Sequence, residues 1–361
     1  MRIVCAIEDP GAANGMVGLG EALAARGTDI EIFATGAARD YATGIGLAVS
    51  DFESLALPPK ADAVLVGTSE NPDSPVFAVT AAARQAAIPS FGFIDGPANA
   101  EHRFRGHGID PLAHAPEYLL VSDAAARDAF ADLGFDPENI MVVGHPNMDR
   151  VRTRANVLER EGRDAIRTRL FPSVDPERPL IVFLAESSDG LDPSEFRRSA
   201  EYTLHGRGGN DGRTEICLEE TLDALAAVRT DAALVLRLHP KNDAATFAAY
   251  KDAIAALSKG GDPLEAVFAA DLVIGMTSVL LFEAAVMGRP TLALTPRAHE
   301  AAWLSSIALG LTRHVCRSDA LRASITEALQ GRFSGAEDID TLVPPGAAQR
   351  IADAIHRRIA T

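Results

Sequence analysis

The chain has 361 residues, 47% of them hydrophobic and 23% charged, with a formal net charge of −16 at pH 7. That length exceeds one ordinary core and suits two domains, and the composition is globular rather than disordered. The acidic balance argues against general nucleic-acid binding and against docking on anionic lipid.

From the amino end, short apolar runs at 2–7, 29–35, 63–68, 90–95, 117–122 and 140–144 are bounded by turn residues. Ala-rich segments with helical spacing lie between them, at 15–26, 75–87 and 123–133. This βαβ rhythm predicts a mainly parallel sheet covered by helices. It breaks at 147–179, a charged stretch with no strand signal, read as a partly helical connection between two doubly wound α/β domains. New apolar runs follow at 180–186, 233–238, 271–275 and 291–295. Residues 187–213, rich in Ser, Gly, Asp and Arg, read as a mobile surface loop. Ile351, Ala352, Ile355 and Ile359 predict a terminal helix over 346–360. Cys5, Cys217 and Cys316 form no CxxC pair, which fits a reducing compartment. The apolar run at Ile3–Ile7 is too short for a signal peptide and no stretch reaches membrane-span length, so a cytoplasmic location is expected.

Ligands of open parallel sheets gather beyond the carboxyl ends of the strands. After the first strand, EDPGAANG places Asp9 before Pro10 and Gly11, and the small Ala12–Ala13 pair allows close backbone approach. Asn14 is positioned to cap the next helix, in a loop that either holds an anion or acceptor or is simply a tight βα turn. It matches neither the dinucleotide fingerprint nor a Walker loop. After 90–95, Asp95 stands at a strand tip followed by Gly96 and Pro97, with Glu101, His102, Arg103 and Arg105 beyond. Asp95 is either a general base toward an acceptor hydroxyl or a cap of its own turn. His145, in GHPNMD, reads as a turn residue.

In the second half, Glu186, Ser187 and Ser188 follow the strand at 180–186 and supply hydroxyl and backbone donors for a diphosphate or base. VLRLHPKND places Arg237, His239 and Lys241 at the end of another strand, where three potentially cationic side chains suggest an anion. The alternative is a polar strand-to-helix turn in which Pro240 stops the ladder and Asp243 caps. In ADLVIGMTSVLLFEAAVMGRP, Thr277 and Ser278 start a helix whose N-terminus suits phosphate. Glu283, in its second turn, is placed to reach a ribose. The one D-x-D, Asp338 to Asp340, lacks a preceding strand and reads as solvated charge, so no metal or other cofactor is expected.

Two α/β domains, the ADLVIG-TS block with its Glu-Ala, Gly and Pro, and the terminal helix resemble the GT-B glycosyltransferase superfamily. Ile94-Asp95-Gly96, His239-Pro240 and Thr277-Ser278, in that order, resemble the bacterial sialyltransferase group with its Kdo-transferase and glycerophosphotransferase relatives. Ile94 departs from the acidic residue that opens the first of these motifs. The resemblance implies an acceptor-side domain over 1–146, a connection over 147–179, a nucleotide-sugar-binding domain over 180–340 and a helix over 341–361 returning to the first domain across a cleft. It implies a metal-independent, inverting transferase using a nucleotide-sugar donor, foremost a CMP-linked acidic sugar, for glycan or glycoprotein synthesis. Asp95 would be the base, while His239, Thr277 and Ser278 would hold the donor phosphate. The alternatives are a UDP-N-acetylglucosamine 2-epimerase, although the His-x-Glu-Ala-Gly-x-Arg and Gly-Gly-x-x-Glu-Glu stretches of that enzyme are absent, and an inactive scaffold that binds nucleotide sugar.

Overall fold

Every residue of the apolar runs 63–67 and 90–94 is buried, as expected of strands covered on both faces. In the computed structural model, which describes residues 1–187, 196–333 and 338–359, such runs build two parallel sheets. The first contains β1 (Arg2–Ile7), β2 (Asp29–Ala34), β3 (Ser50–Asp51), β4 (Ala63–Gly67), β5 (Ser90–Ile94), β6 (Tyr118–Val121) and β7 (Ile140–Val142). Its spatial order is β3-β2-β1-β4-β5-β6-β7, every pair parallel. The second contains β8 (Leu180–Leu184), β9 (Ala233–Arg237), β10 (Ala256–Ser258), β11 (Leu272–Gly275), β12 (Thr291–Leu294) and β13 (Arg313–Val315). Its order is β10-β9-β8-β11-β12-β13, again parallel throughout. Both sheets are therefore doubly wound in the same sense. The order reverses between β1 and β4 in one and between β8 and β11 in the other, and a ligand of such a sheet binds outside the carboxyl ends at that reversal.

By contacts the chain divides into two units, Met1–Arg150 with Val343–Thr361, and Val151–Leu342. The first unit carries helices α1 (Pro10–Gly15), α2 (Leu19–Ala24), α3 (Gly36–Gly44), α4 (Val76–Gln85) and α5 (Ala124–Asp132). The charged stretch at 147–179 is helical at α6 (Pro146–Glu161) and α7 (Arg163–Leu170), and α6 runs through the junction of the units. The second unit continues with α8 (Arg213–Val228), α9 (Pro263–Ala269), α10 (Val279–Val286), α11 (Ser305–Ala308), α12 (Ser318–Leu329) and α13 (Ile339–Leu342). Last comes α14 (Ala347–Ile359).

Helix α14 belongs to the first unit because its apolar stripe, Ile351, Ala352 and Ile355, is wholly buried in the core made by β1, α1 and α2. Arg26 pairs with Asp353 at 2.6 Å, and Asp149 caps α14 by accepting from the Gly346 and Ala347 amides. Two expectations change. The predicted helix over 15–26 is two helices, and the first begins at Pro10, where a loop was expected. Proline suits the first helical position because it has no amide hydrogen to satisfy, and Gly18, at φ +70°, separates the two. Asn14 accordingly lies inside α1 and caps nothing; it is buried and accepts from the Tyr41 hydroxyl at 3.0 Å.

Candidate functional site

At the carboxyl edge of the first sheet, Asp95 stands one residue past β5, its side chain 27% exposed. Gly11 packs against it so closely that a Cβ there would collide with Asp95 Oδ2, which is why a glycine follows Pro10 in α1. Arg103 reaches back from the following loop, donating from one nitrogen to Asp95 Oδ1 at 2.6 Å and to Thr68 Oγ1 at 2.8 Å. Burial pushes the Asp95 carboxyl up, but the Arg103 charge, the His145 ring and the Arg103 hydrogen bond outweigh it and hold the group below the usual carboxylate range. His145 is 7% exposed, edge-on to Phe93 at 5.5 Å, with Nδ1 accepting from the Asn147 amide. Its pKa falls because burial outweighs the attraction of Asp95 and Asp123.

At the reversal between β1 and β4 stand Glu8 and Asp9 from one strand and Ser69, Glu70 and Asn71 from the other. Glu8 Oε1 accepts from Asn71 at 2.7 Å, while its buried Oε2 has no hydrogen-bond partner among the described residues. Asp9 is shifted the opposite way from Asp95. Burial raises its pKa, the Ser69 hydroxyl offsets part of this, and the neighbouring Glu8 and Glu70 charges raise it further. Two carboxyls of one edge thus have proton affinities driven apart. Of the other acceptor-side expectations, Glu101 and His102 pair with each other at 3.4 Å in a surface turn, and no contact brings them to Asp95. The structure leaves them outside the cluster.

In the second unit the carboxylate of Glu186, two residues past β8, spans the reversal to β11. Its Oε1 accepts three consecutive amides, Met276 at 3.0 Å, Thr277 at 2.7 Å and Ser278 at 2.8 Å. Its Oε2 accepts from the Thr277 hydroxyl at 3.2 Å and from Arg213 at 2.9 Å. Three convergent amides before a helix form an anion-binding nest, and here a side chain of the chain itself fills it. Glu186 was expected to lie beside a ligand anion; instead it occupies the position such an anion would take. Behind it, Arg213 (2% exposed) also pairs with Glu300 (0% exposed), and Glu300 pairs with Arg297 at 2.6 Å. Ser278 Oγ caps α10 through the Leu280 amide.

The three cationic residues of VLRLHPKND do not converge. Arg237 turns away to Ser258 at 2.9 Å and to the Gly260 carbonyl at 2.5 Å. Lys241 is exposed. His239 Nδ1 accepts from the Lys241 amide at 3.2 Å, which leaves the ring proton on Nε2. Burial and Lys241 lower its pKa against Glu186, which favours the neutral ring over the cation. Asn242 fastens this turn, accepting from the His239 amide at 3.0 Å and donating to the Glu186 carbonyl. Asp243 caps a 3₁₀ turn, Ala244–Tyr250. Glu283 is only 5% exposed in α10, so the reach to a ribose read from its helical position needs an opening this arrangement lacks. Ser187 follows Glu186 directly, and Ser188 lies outside the described residues. Among the described residues no group of three His, Cys, Asp or Glu has metal-holding geometry, and no helix is long and apolar enough to cross a membrane.

Sequence reading passed over Arg213, Glu300 and Arg297 and set His145 aside. Arg213 closes a polar stretch that resembles solvent-facing loop, and nothing local separates it from an exposed arginine. The signal available for His145 was its placement at a parallel strand end.

No family model and no curated protein matches the chain. Among solved structures it is similar to the UDP-GlcNAc 2-epimerase of Neisseria meningitidis bound to UDP-GlcNAc, at 14% identity and TM-score 0.69, covering 99% of this chain and all of that one. It is similar to S. aureus MnaA solved with UDP, at 14% identity and TM-score 0.68, covering 100% and 97%. The wall teichoic acid polymerase TagF matches at 16% identity and TM-score 0.54, covering 99% and 89%. These likenesses establish a GT-B-like fold of two doubly wound units, and they lend no support to the sialyltransferase and Kdo-transferase likeness in particular.

Proposed function

We propose that the protein acts on a nucleotide-activated sugar, and that its reaction is epimerisation of a UDP-linked amino sugar rather than transfer from a CMP-linked one. The observation that carries this reading is the opposed shift of Asp95, after β5, and Asp9, after β1, at the carboxyl edge of one sheet. The C2 hydrogen of such a sugar is not acidic, so proton exchange there needs the electron pair to displace UDP from C1. UDP then re-adds across the double bond as a proton returns to the other face of C2, so one group must accept a proton and another donate one. A pair of carboxyls whose environments separate their proton affinities supplies both. Asp95, kept ionised by Arg103, is the acceptor; Asp9, which holds its proton to higher pH, is the donor. Support for the substrate class comes from the full-length likeness to UDP-GlcNAc 2-epimerases solved with UDP-GlcNAc and UDP. In the second unit the β11–α10 loop with Thr277 and Ser278, and the His239 Nε2 proton, suit a diphosphate once Glu186 yields its place.

Incubation with UDP-GlcNAc in D2O, followed by proton and phosphorus NMR, tests the reading. The expected result is deuterium at C2 together with a second UDP-sugar. A transferase is the second reading, supported by the TagF likeness and by Asp95 standing alone as base. A panel of CMP-, UDP-, GDP- and CDP-linked donors separates the two, since nucleotide release without an epimer favours transfer. Thermal stabilisation by a donor without turnover favours a binding scaffold.

A further inference from the structure

The amino ends of the second sheet, one strand length away from Glu186 and His239, border an open cavity of about 450 Å³. For β11 that separation is about 13 Å, four residues at roughly 3.3 Å each. Arg163, Arg167, Arg178 and Arg289 line the cavity, opposed by Asp271 and Glu177. Four cations around one hollow in a chain of net charge −16 is a local reversal of sign. Part of it is structural. Arg163 and Arg167 both pair with Asp271, and both donate to the Ala269 carbonyl, which ties α7 to the end of α9. Arg178 donates to the Asp231 carbonyl at 2.6 Å.

Arg289 has no such employment. Its Nε is buried without a hydrogen-bond partner among the described residues, and its guanidinium packs over the Phe268 ring at 5.3 Å. Burial, and then Arg163 and Arg167, depress its proton affinity against the pull of Asp271 and of the exposed Glu159. The Arg289 Nη1 and Nη2 likewise make no hydrogen bond or ion pair among the described residues, and with Arg289 only part-buried at the cavity wall their fork matches a phosphate. Cavities of this size hold small ligands.

We propose that this cavity is a second anion site, taking a compact phosphate-bearing ligand of the size of inorganic pyrophosphate, at the end of the second unit opposite its nucleotide-directed edge. Arg289 supplies the unspent donor, Arg178 and the Asp271-braced pair supply the field, and Glu177 at the rim opposes entry. The inference does not depend on the epimerase reading.

Calorimetric titration of the full chain with inorganic pyrophosphate, at low salt and without divalent cation, tests it. One saturable site is expected, weakening as sodium chloride is added. Arg289→Gln should lower the affinity tenfold or more with little change in melting temperature, because the side chain makes no ion pair among the described residues and gives up only its contact over Phe268. Arg289→Lys keeps charge and stem but not the fork and should lower it several-fold, which preserves the test should the glutamine variant fold poorly. Glu177→Gln, an exposed position, should tighten binding. No saturable binding by the wild type overturns the proposal, as does binding that neither the Arg289 nor the Glu177 variants move. A lowered melting temperature with intact pyrophosphate affinity in Arg289→Gln would assign the arginines to bracing alone.

Discussion

The two sheets reverse their strand order in the same way, and each places a carboxylate from its first strand at the reversal, yet the two edges treat that charge oppositely. In the second unit Glu186 is met by three amides, a hydroxyl and Arg213, and the network continues to Glu300 and Arg297 until every ion is matched. In the first, Glu8 keeps an oxygen without a partner among the described residues, Asp9 is crowded by Glu8 and Glu70, and Arg103 serves Asp95. A saturated network rigidifies a loop, because every donor and acceptor is already in place. An unsaturated one keeps proton affinities shifted and available for chemistry. On the proposed reaction the second edge is an anion seat that Glu186 fills at rest, and the first is the place where protons move.

The largest expected effect tests the reactive edge. Asp95→Asn should lower turnover of the UDP-sugar by roughly 10²–10⁴, measured as initial rates, with nucleotide affinity retained. An unchanged rate would take the proton chemistry away from the first edge. The saturated edge should show its character in stability. Glu186→Ala leaves Arg213 buried with half its partners and should cost about 3–5 kcal/mol in urea unfolding. Added inorganic phosphate should restore part of that loss by entering the emptied nest. Glu8→Gln should cost far less, and equal losses at the two positions would erase the contrast between the edges.

Smaller effects sharpen the picture. His239→Ala should weaken nucleotide binding about 2- to 12-fold, the ~0.5–1.5 kcal/mol of a neutral hydrogen bond rather than the larger loss of a charged one. The smallest concerns Asp9. Its folded pKa lies above the unfolded one, so its ionisation subtracts stability once pH rises through the folded value, and nothing is subtracted below the unfolded value. Asp9→Asn should raise the melting temperature at neutral pH and leave it unchanged in strong acid. In the active enzyme the rate should fall on the alkaline side as Asp9 loses its proton, and the asparagine variant should lack that limb.

The fold was largely legible because parallel strands buried on both faces are continuous apolar runs. Those at 2–7 and 63–68 became β1 and β4 to within a residue. The strands passed over, Ser50–Asp51, Ala256–Ser258 and Arg313–Val315, are two or three residues long at or near sheet edges, too short to carry a pattern. Of the candidate site, the strand ends were legible, and with them the positions of Asp95 and His239 beside apolar runs and the Ser278 cap three residues past β11. Partners were not. Arg237 and His239 are two residues apart on one strand end, yet one turns to Gly260 while the other keeps a proton to donate.

What the sequence by itself determined is the set of strands, the helices between them and the polar groups at their carboxyl ends, since hydrophobic period and turn chemistry are local. Only the tertiary structure decided which carboxylates are matched. Glu186 meets Thr277, 91 positions along the chain, and Arg213 meets Glu300 across 87. Whether a charge is neutralised or left reactive depends on distance through space, and the crossover connections of a doubly wound sheet set that distance without leaving a local mark.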